Sequence, residues 1–246
     1  MKTPNILLIL LCCPVLLFAQ ETVTVKTKPK RWDWYYEEYQ VLKSDRKIFH
    51  GPYKRFTKDE NKIVEEGNYK NGKKDGLWIE YTSNGKFITK GNYTDDTPTG
   101  QWEFYDSKGN LEQRYDYTTR TFLFSKPGAN IPRDTVLTVY NGDDGKEMKV
   151  DVPPIMLGGP YHWQRFLNKN LRYPQDAIDK NKMGVVVVGF IINTDGNASD
   201  FSIERGAFKS LDEEALRVVK LVANKWIPAM VNGKPVKAAF SQAIVF

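Results

Sequence analysis

The sequence predicts an all-β domain of repeated hairpins, followed by an α+β domain built on a three-stranded antiparallel sheet with helices. Three observations carry this reading. A glycine-plus-aromatic pattern recurs about every 24 residues between positions 50 and 117. Residues 184–206 read GVVVVGFIINTDGNASDFSIERG: an apolar strand, a turn and an alternating strand. A helical stripe and a last alternating strand then run to position 246. The 246 residues are 41% hydrophobic and 13% aromatic, enough for two modest cores and incompatible with wholesale disorder.

Residues 1–19 read as a targeting segment. Lys2 supplies the positive end, and residues 6–19 are apolar apart from Pro14. That length suits a secretory signal peptide, whereas a spanning helix needs about 20 residues. Cleavage after Ala19 is expected; the alternative is an uncleaved anchor. Leu11 and Cys12 stand where lipid attachment at Cys12 or Cys13 would require a small residue. Both cysteines fall in this segment, so the mature chain would have neither a disulfide nor a cysteine-ligated metal. Without Lys2 the chain keeps 35 basic and 30 acidic residues. The excess is spread along the chain and not interleaved with base-stacking aromatics, which argues against nucleic acid as a partner.

Residues 20–49 read as an exposed lead-in, whose aromatic cluster WDWYYEEY packs onto the adjoining domain. The repeats occupy 50–117. HGPYKRF, DGLWIEY and TGQWEFY align, with glycines at 51, 76 and 100 and aromatics at Tyr53, Trp78 and Trp102. A second register, EGNY, KGNY and RYDY, places Tyr69, Tyr93 and Tyr117. Turn signals at 58–61, 83–86 and 107–110 close each hairpin. One hairpin is marginal alone, so neighbours must share the aromatics as a core. The pattern resembles divergent bacterial MORN-type repeats. Residues 118–152 read as a connector, with a turn-rich KPGANIP and a hairpin around NGDDG at 141–145.

The remainder, 153–246, forms the α+β domain. PYHWQRFLNKN places Trp163, Phe166 and Leu167 on one helical face. Pro174 begins a short helix. Residues 184–192 form the first strand and 198–205 the second, with Phe201 and Ile203 on one face. Ser210 and Glu213 are expected as a capping box. The next helix has Leu211, Ala215, Val218, Val219 and Val222 on its buried stripe. NGKP at 232–235 turns into the last strand, 236–246. The crossover makes strands two and three parallel, so the sheet stays antiparallel only if the first strand is central. Its continuous apolar run suits that place, and the last strand becomes an edge.

LRYP at 171–174, Gly184, the DG at 195–196, LDEEAL, KWIPA, NGKPV and the final aromatic strand together resemble the TonB C-terminal domain. PPIMLGG at 153–159 fits the lead into such a domain. The resemblance implies a cell-envelope, periplasmic protein that binds a segment of an outer-membrane transporter by strand addition, in energy-coupled transport. Inner-membrane proton-driven motor proteins and a second copy of the chain are further expected partners. Inner-membrane anchoring would follow if the first segment is uncleaved. A repeat block stands where such transducers carry a Pro-rich spacer. The alternative is a secreted structural or adaptor module without energy coupling.

No catalytic, cofactor or metal site is expected. His50 and His162 are far apart, no phosphate loop or nucleophile motif occurs, and the carboxylates of DEE at 212–214 suit the first turn of a helix. The expected partner-binding residues are Ala238, Ala239, Phe240, Ser241, Gln242, Ala243, Ile244 and Val245 on the final strand. Asn170, Leu171, Arg172 and Tyr173 are expected, by the resemblance, to flank the incoming segment.

Overall fold

The computed structural model describes residues 20–29, 31, 33–126 and 135–246. The targeting segment, both cysteines, Trp32 and most of KPGANIP lie outside the described residues. The repeat domain is one antiparallel meander. Its strands are β1 (Thr22–Lys26), β2 (Tyr35–Leu42), β3 (Phe49–Thr57), β4 (Ile63–Lys70), β5 (Lys73–Lys74), β6 (Gly76–Tyr81), β7 (Phe87–Thr94), β8 (Thr97–Tyr105), β9 (Leu111–Asp116) and β10 (Thr121–Ser125). They pair in chain order, with the short β5 set against β4. The three expected hairpins are β3–β4, β6–β7 and β8–β9.

Residues 20–49 are more than a lead-in. They supply β1 and β2, which extend the sheet, and Tyr36 stacks on Phe56 at 5.0 Å.

The repeat pattern has a direct steric cause. A Cβ on Gly67 would lie 2.2 Å from the ring of Trp78, and one on Gly91 would lie 2.1 Å from Trp102. Each indole therefore lies flat over a glycine of the preceding strand. Its Nε1 donates to the carbonyl of Asn68 or Asn92. Tyr69 and Tyr93 pack edge-on against Trp78 and Trp102, with centroids 5.0 and 4.9 Å apart. The third register places Tyr115 where the first two place glycine. The next strand brings no third tryptophan to accommodate, and Phe122 of β10 packs on Tyr115 instead.

The C-terminal part comprises β11 (Val136–Asn141), β12 (Asp144–Lys149), β13 (Ile155–Met156), α1 (Gly159–Asn170), α2 (Gln175–Asp179), β14 (Val185–Ile192), β15 (Ala198–Arg205), α3 (Lys209–Lys220), β16 (Trp226–Ile227), β17 (Ala229–Val231) and β18 (Lys234–Val245). The main sheet runs β12-β11-β18-β14-β15, and β17 also pairs with β18. The apolar β14 lies between β15 and β18, antiparallel to both. Val186, Val188, Phe190 and Ile192 are buried with the expected α3 stripe: Leu211, Ala215, Val218 and Val219.

Two expectations are corrected. The sheet has more than three strands, because β11 adds to the outer side of β18, pairing Val139 with Ala238 and Tyr140 with Lys237. The last strand is thus an edge for only part of its length. The capping box is not formed: α3 has no side-chain cap, and the Ser210 hydroxyl is buried without a partner. Asp212 instead accepts the N–H of Ala207, tying the helix to the preceding loop.

The two parts share a packed seam. Ile155 and Leu157, together with Ile227, pack against Trp102, Phe104 and Tyr115 of the repeat sheet. Gln113, on β9, accepts the Gly158 N–H at 2.7 Å and donates to the Met156 carbonyl. It thereby satisfies a backbone donor at the start of α1, which has no cap of its own. Arg165 of α1 pairs with Glu80 of β6 at 2.6 Å.

His162 sits in this seam, its ring edge-on to Phe104. Its Nε2 is buried without a partner. Burial, reinforced by Arg165, lowers its pKa to about 4, against opposing contributions from Glu80 and the backbone of Ile88 and Tyr105. The unfolded chain therefore binds a proton that the folded chain refuses. Stability from this group is present above the ordinary histidine pKa and is lost as pH falls from about 6.5 towards 4, by up to about 3 kcal/mol. We expect melting temperature to fall over that window in the wild type and to fall less in His162→Phe. Parallel curves would contradict this.

Candidate functional site

The candidate site is the outer edge of β18 beyond the end of β11. Gly184 and Phe246 exchange both backbone hydrogen bonds, and the register Val185↔Val245 to Ile192↔Ala238 is unbroken. Hydrogen-bonded pairs alternate in an antiparallel ladder. The backbone groups of Ala238, Phe240, Gln242 and Ile244 are therefore turned to β14. Those of Ala239, Ser241, Ala243 and Val245 are turned outward. β11 meets this edge at Lys237 and Ala238, and from Ala239 onward no described strand pairs with it. Charge, proline and bulges usually blunt such an edge, and none stands between positions 239 and 245.

Helix α1 borders the same edge. A cleft of about 440 Å³ lies between them, lined by Trp163, Gln164, Leu167 and Asn168 of the helix and by Leu171, Ala243 and Val245. The helix residues follow from one spacing: 164, 167, 168 and 171 lie on one face of a helix extended by one residue. That stripe is legible in the sequence, whereas the resemblance implies 170–173. Of those four, Leu171 alone lines the cleft. Asn170 ends the helix, donating to the Phe166 carbonyl, while its own carbonyl accepts from Arg217. The Arg172 N–H donates to Glu214. Tyr173 donates to the Lys182 carbonyl and packs edge-on to Phe246. Burial raises the pKa of Glu214, but hydrogen bonds from Arg217 and Arg172 outweigh this and hold it below the usual range. These residues fix the floor beside the edge. Ala238 is buried between β11 and β14, and the Phe240 ring packs on Phe190 and Trp226.

Among the described residues, no helix is long and apolar enough to cross a membrane.

Residues 169–246 match the family described as the Gram-negative bacterial TonB protein C-terminal. Among solved structures, the chain is similar to the solution structure of the Helicobacter pylori TonB C-terminal domain. The identity is 24%, over 35% of this chain and 88% of that one, with a TM-score of 0.28. No curated protein matches it. Residues 169–246 thus carry the pattern of a TonB C-terminal domain. The match begins at the end of α1, so the β11–β12 hairpin and the repeat sheet lie outside it.

Proposed function

We propose that the chain is a periplasmic TonB-like protein that binds a short extended segment of an outer-membrane transporter by adding it to β18. The observation that carries this is the row of outward backbone groups at 239, 241, 243 and 245, beside an amphipathic cleft. In strand addition, main-chain bonds supply affinity and side-chain pockets supply selectivity. Here Trp163, Leu167 and Leu171 offer apolar contact, while Gln164 and Asn168 offer amides. The test is titration with a peptide from a transporter's N-terminal region. Ala243→Pro removes an outward donor while leaving the β14 ladder intact, so it should abolish binding. Ala239→Ser should leave affinity within about twofold. Equal binding by the proline variant would overturn the reading.

A second reading is an adaptor without energy coupling. The repeat sheet favours it: a packed seam joins it to the C-terminal part, where a transducer carries an extended spacer. On this reading the MORN-like hairpins are a docking platform. Fractionation of tagged cells separates the two. Retention with the inner membrane after a salt wash supports coupling to motor proteins; a freely soluble periplasmic pool supports the adaptor.

A further inference from the structure

The free edge of β18 is bounded at one end by a hairpin of the same chain. β11 pairs with β18 at Val139↔Ala238 and Tyr140↔Lys237. It then leaves that edge, and Val136, Leu137 and Thr138 are paired with β12 alone. In the β11–β12 hairpin the pair beside the two-residue turn is Asn141↔Asp144. Alternation along the ladder therefore turns the backbone groups of Tyr140 towards β18. Lys237 is turned outward to meet them, in phase with 239, 241, 243 and 245. A strand added beyond Ala238 would lie end-on to β11, in line with it along the same edge. Residues 239–245, seven positions, are what it has to pair with.

The hairpin is held at its root. Val139 is buried with Val150, Ala229 and Ala238, and Leu137, Val231 and Val236 pack around them. The chain leaving the hairpin is bonded to β17: Asp151 donates its N–H to the Met230 carbonyl, and Met230 donates to Val152, both at 2.8 Å. The Asp151 carboxylate accepts the N–H of Asn232. The Lys237 ammonium lies over the Tyr140 ring, 5.5 Å from its centroid. Lifting β11 off β18 would expose the Val139 cluster to water, which opposes its displacement by an incoming segment.

A bare edge specifies register weakly. Main-chain bonds are alike in every register, and a slip of two residues returns each side chain to its own face. The outward positions of β18 add little selection, since 239, 241 and 243 are Ala, Ser and Ala. The cleft beside α1 reads side chains only at the far end, by Ala243 and Val245. We infer that β11 is a fixed stop that sets the register and length of the strand added to β18. The inference rests on strand addition at that edge. The segment that fits carries an apolar side chain for Trp163, Leu167 and Leu171 at one end. Roughly five to seven residues away, about 17–24 Å at strand rise, it must turn off the sheet, as Pro and Gly allow. The β11–β12 hairpin precedes the family match at 169–246, so this selectivity comes from outside the matched segment.

The test uses the full chain and nested synthetic peptides from the N-terminal region of one outer-membrane transporter. The shortest peptide that binds is lengthened natively, and each length is then extended at either end by Thr-Val-Thr or by Gly-Pro-Gly. In the wild type, affinity should rise until residues 239–245 are paired. Beyond that, both extensions should change it less than twofold, and the Tyr140 amide should stay protected from exchange. Tyr140→Pro removes the donor that faces β18 and should open the edge. Thr-Val-Thr at one end should then gain at least threefold, and Gly-Pro-Gly should not. Slowed exchange at 241, 243 and 245, together with a threefold gain from Thr-Val-Thr in the wild type or loss of Tyr140 protection, would overturn the stop and leave strand addition standing. Equal responses of the wild type and a folded Tyr140→Pro would do the same. No binding by any peptide, or binding without slowing at those three amides, would remove strand addition and the stop with it.

Discussion

Replacing Trp226 with alanine is expected to cost about 3–5 kcal/mol, the range for deleting a large buried aromatic. The residue is 4% exposed and packs between Phe190 and Phe240, at 5.2 and 5.4 Å. Its backbone pairs with Met156, and its carbonyl closes on Gly196, where an added Cβ would lie 2.3 Å away. The side chain thus ties the crossover after α3 to the sheet, while the backbone of the same residue meets the β14–β15 turn and the strand leading into α1. The indole Nε1 is buried without a partner. Trp226→Phe therefore removes an unsatisfied donor along with some volume, and should cost about 1 kcal/mol or less. Thermal unfolding of the two variants checks both expectations. A melting temperature unchanged in Trp226→Ala would contradict them.

The second large effect is Trp102→Ala, also about 3–5 kcal/mol. This indole covers Gly91, meets Tyr93 and Tyr117 edge-on, and packs in the cluster with Ile227. Its loss opens the repeat stack and the seam together. Amide exchange should rise in β7 and β8 and also around residues 155–157 and 226–227. Trp78→Ala, one repeat further from the seam, should loosen the block at 50–117 and spare those C-terminal segments, because stability in a repeat array passes between neighbours. Exchange confined to the immediate surroundings of the mutated residue would contradict shared stacking.

Local patterns foretold the parts of the fold that they determine. The continuous apolar run at β14 has only one comfortable place, the middle of a covered sheet, and it lies there. The period of 24 residues reflects an indole that needs a glycine beneath it. Features set by distant partners were not legible. β11 joins β18 through a short register between residues nearly a hundred positions apart, and no local pattern signals such a pairing. The strand character of residues 20–49 was masked by charge and by mixed aromatics, since β2 is buried or half-buried along nearly its whole length and shows no clean alternation. Gln113 looks like any polar strand residue until its side chain is seen at the start of α1, and Ser210 has capping chemistry but no N–H within reach. At the candidate site, the edge position followed from the crossover, which puts the first strand in the centre of the sheet. The side of the strand that is free, and the helix beside it, required the ladder and the packing.

Amide exchange along β18, with and without saturating transporter peptide, tests the central claim most directly. The amides of Ser241, Ala243 and Val245 point away from β14 and should exchange quickly in the free protein. Peptide added to this edge should slow them markedly, while Gln242 and Ile244, already bonded to β14, should change little. This alternation is the signature of a strand pairing at the outer edge. Saturated binding with no gain of protection at 241, 243 and 245 would show that the partner docks elsewhere.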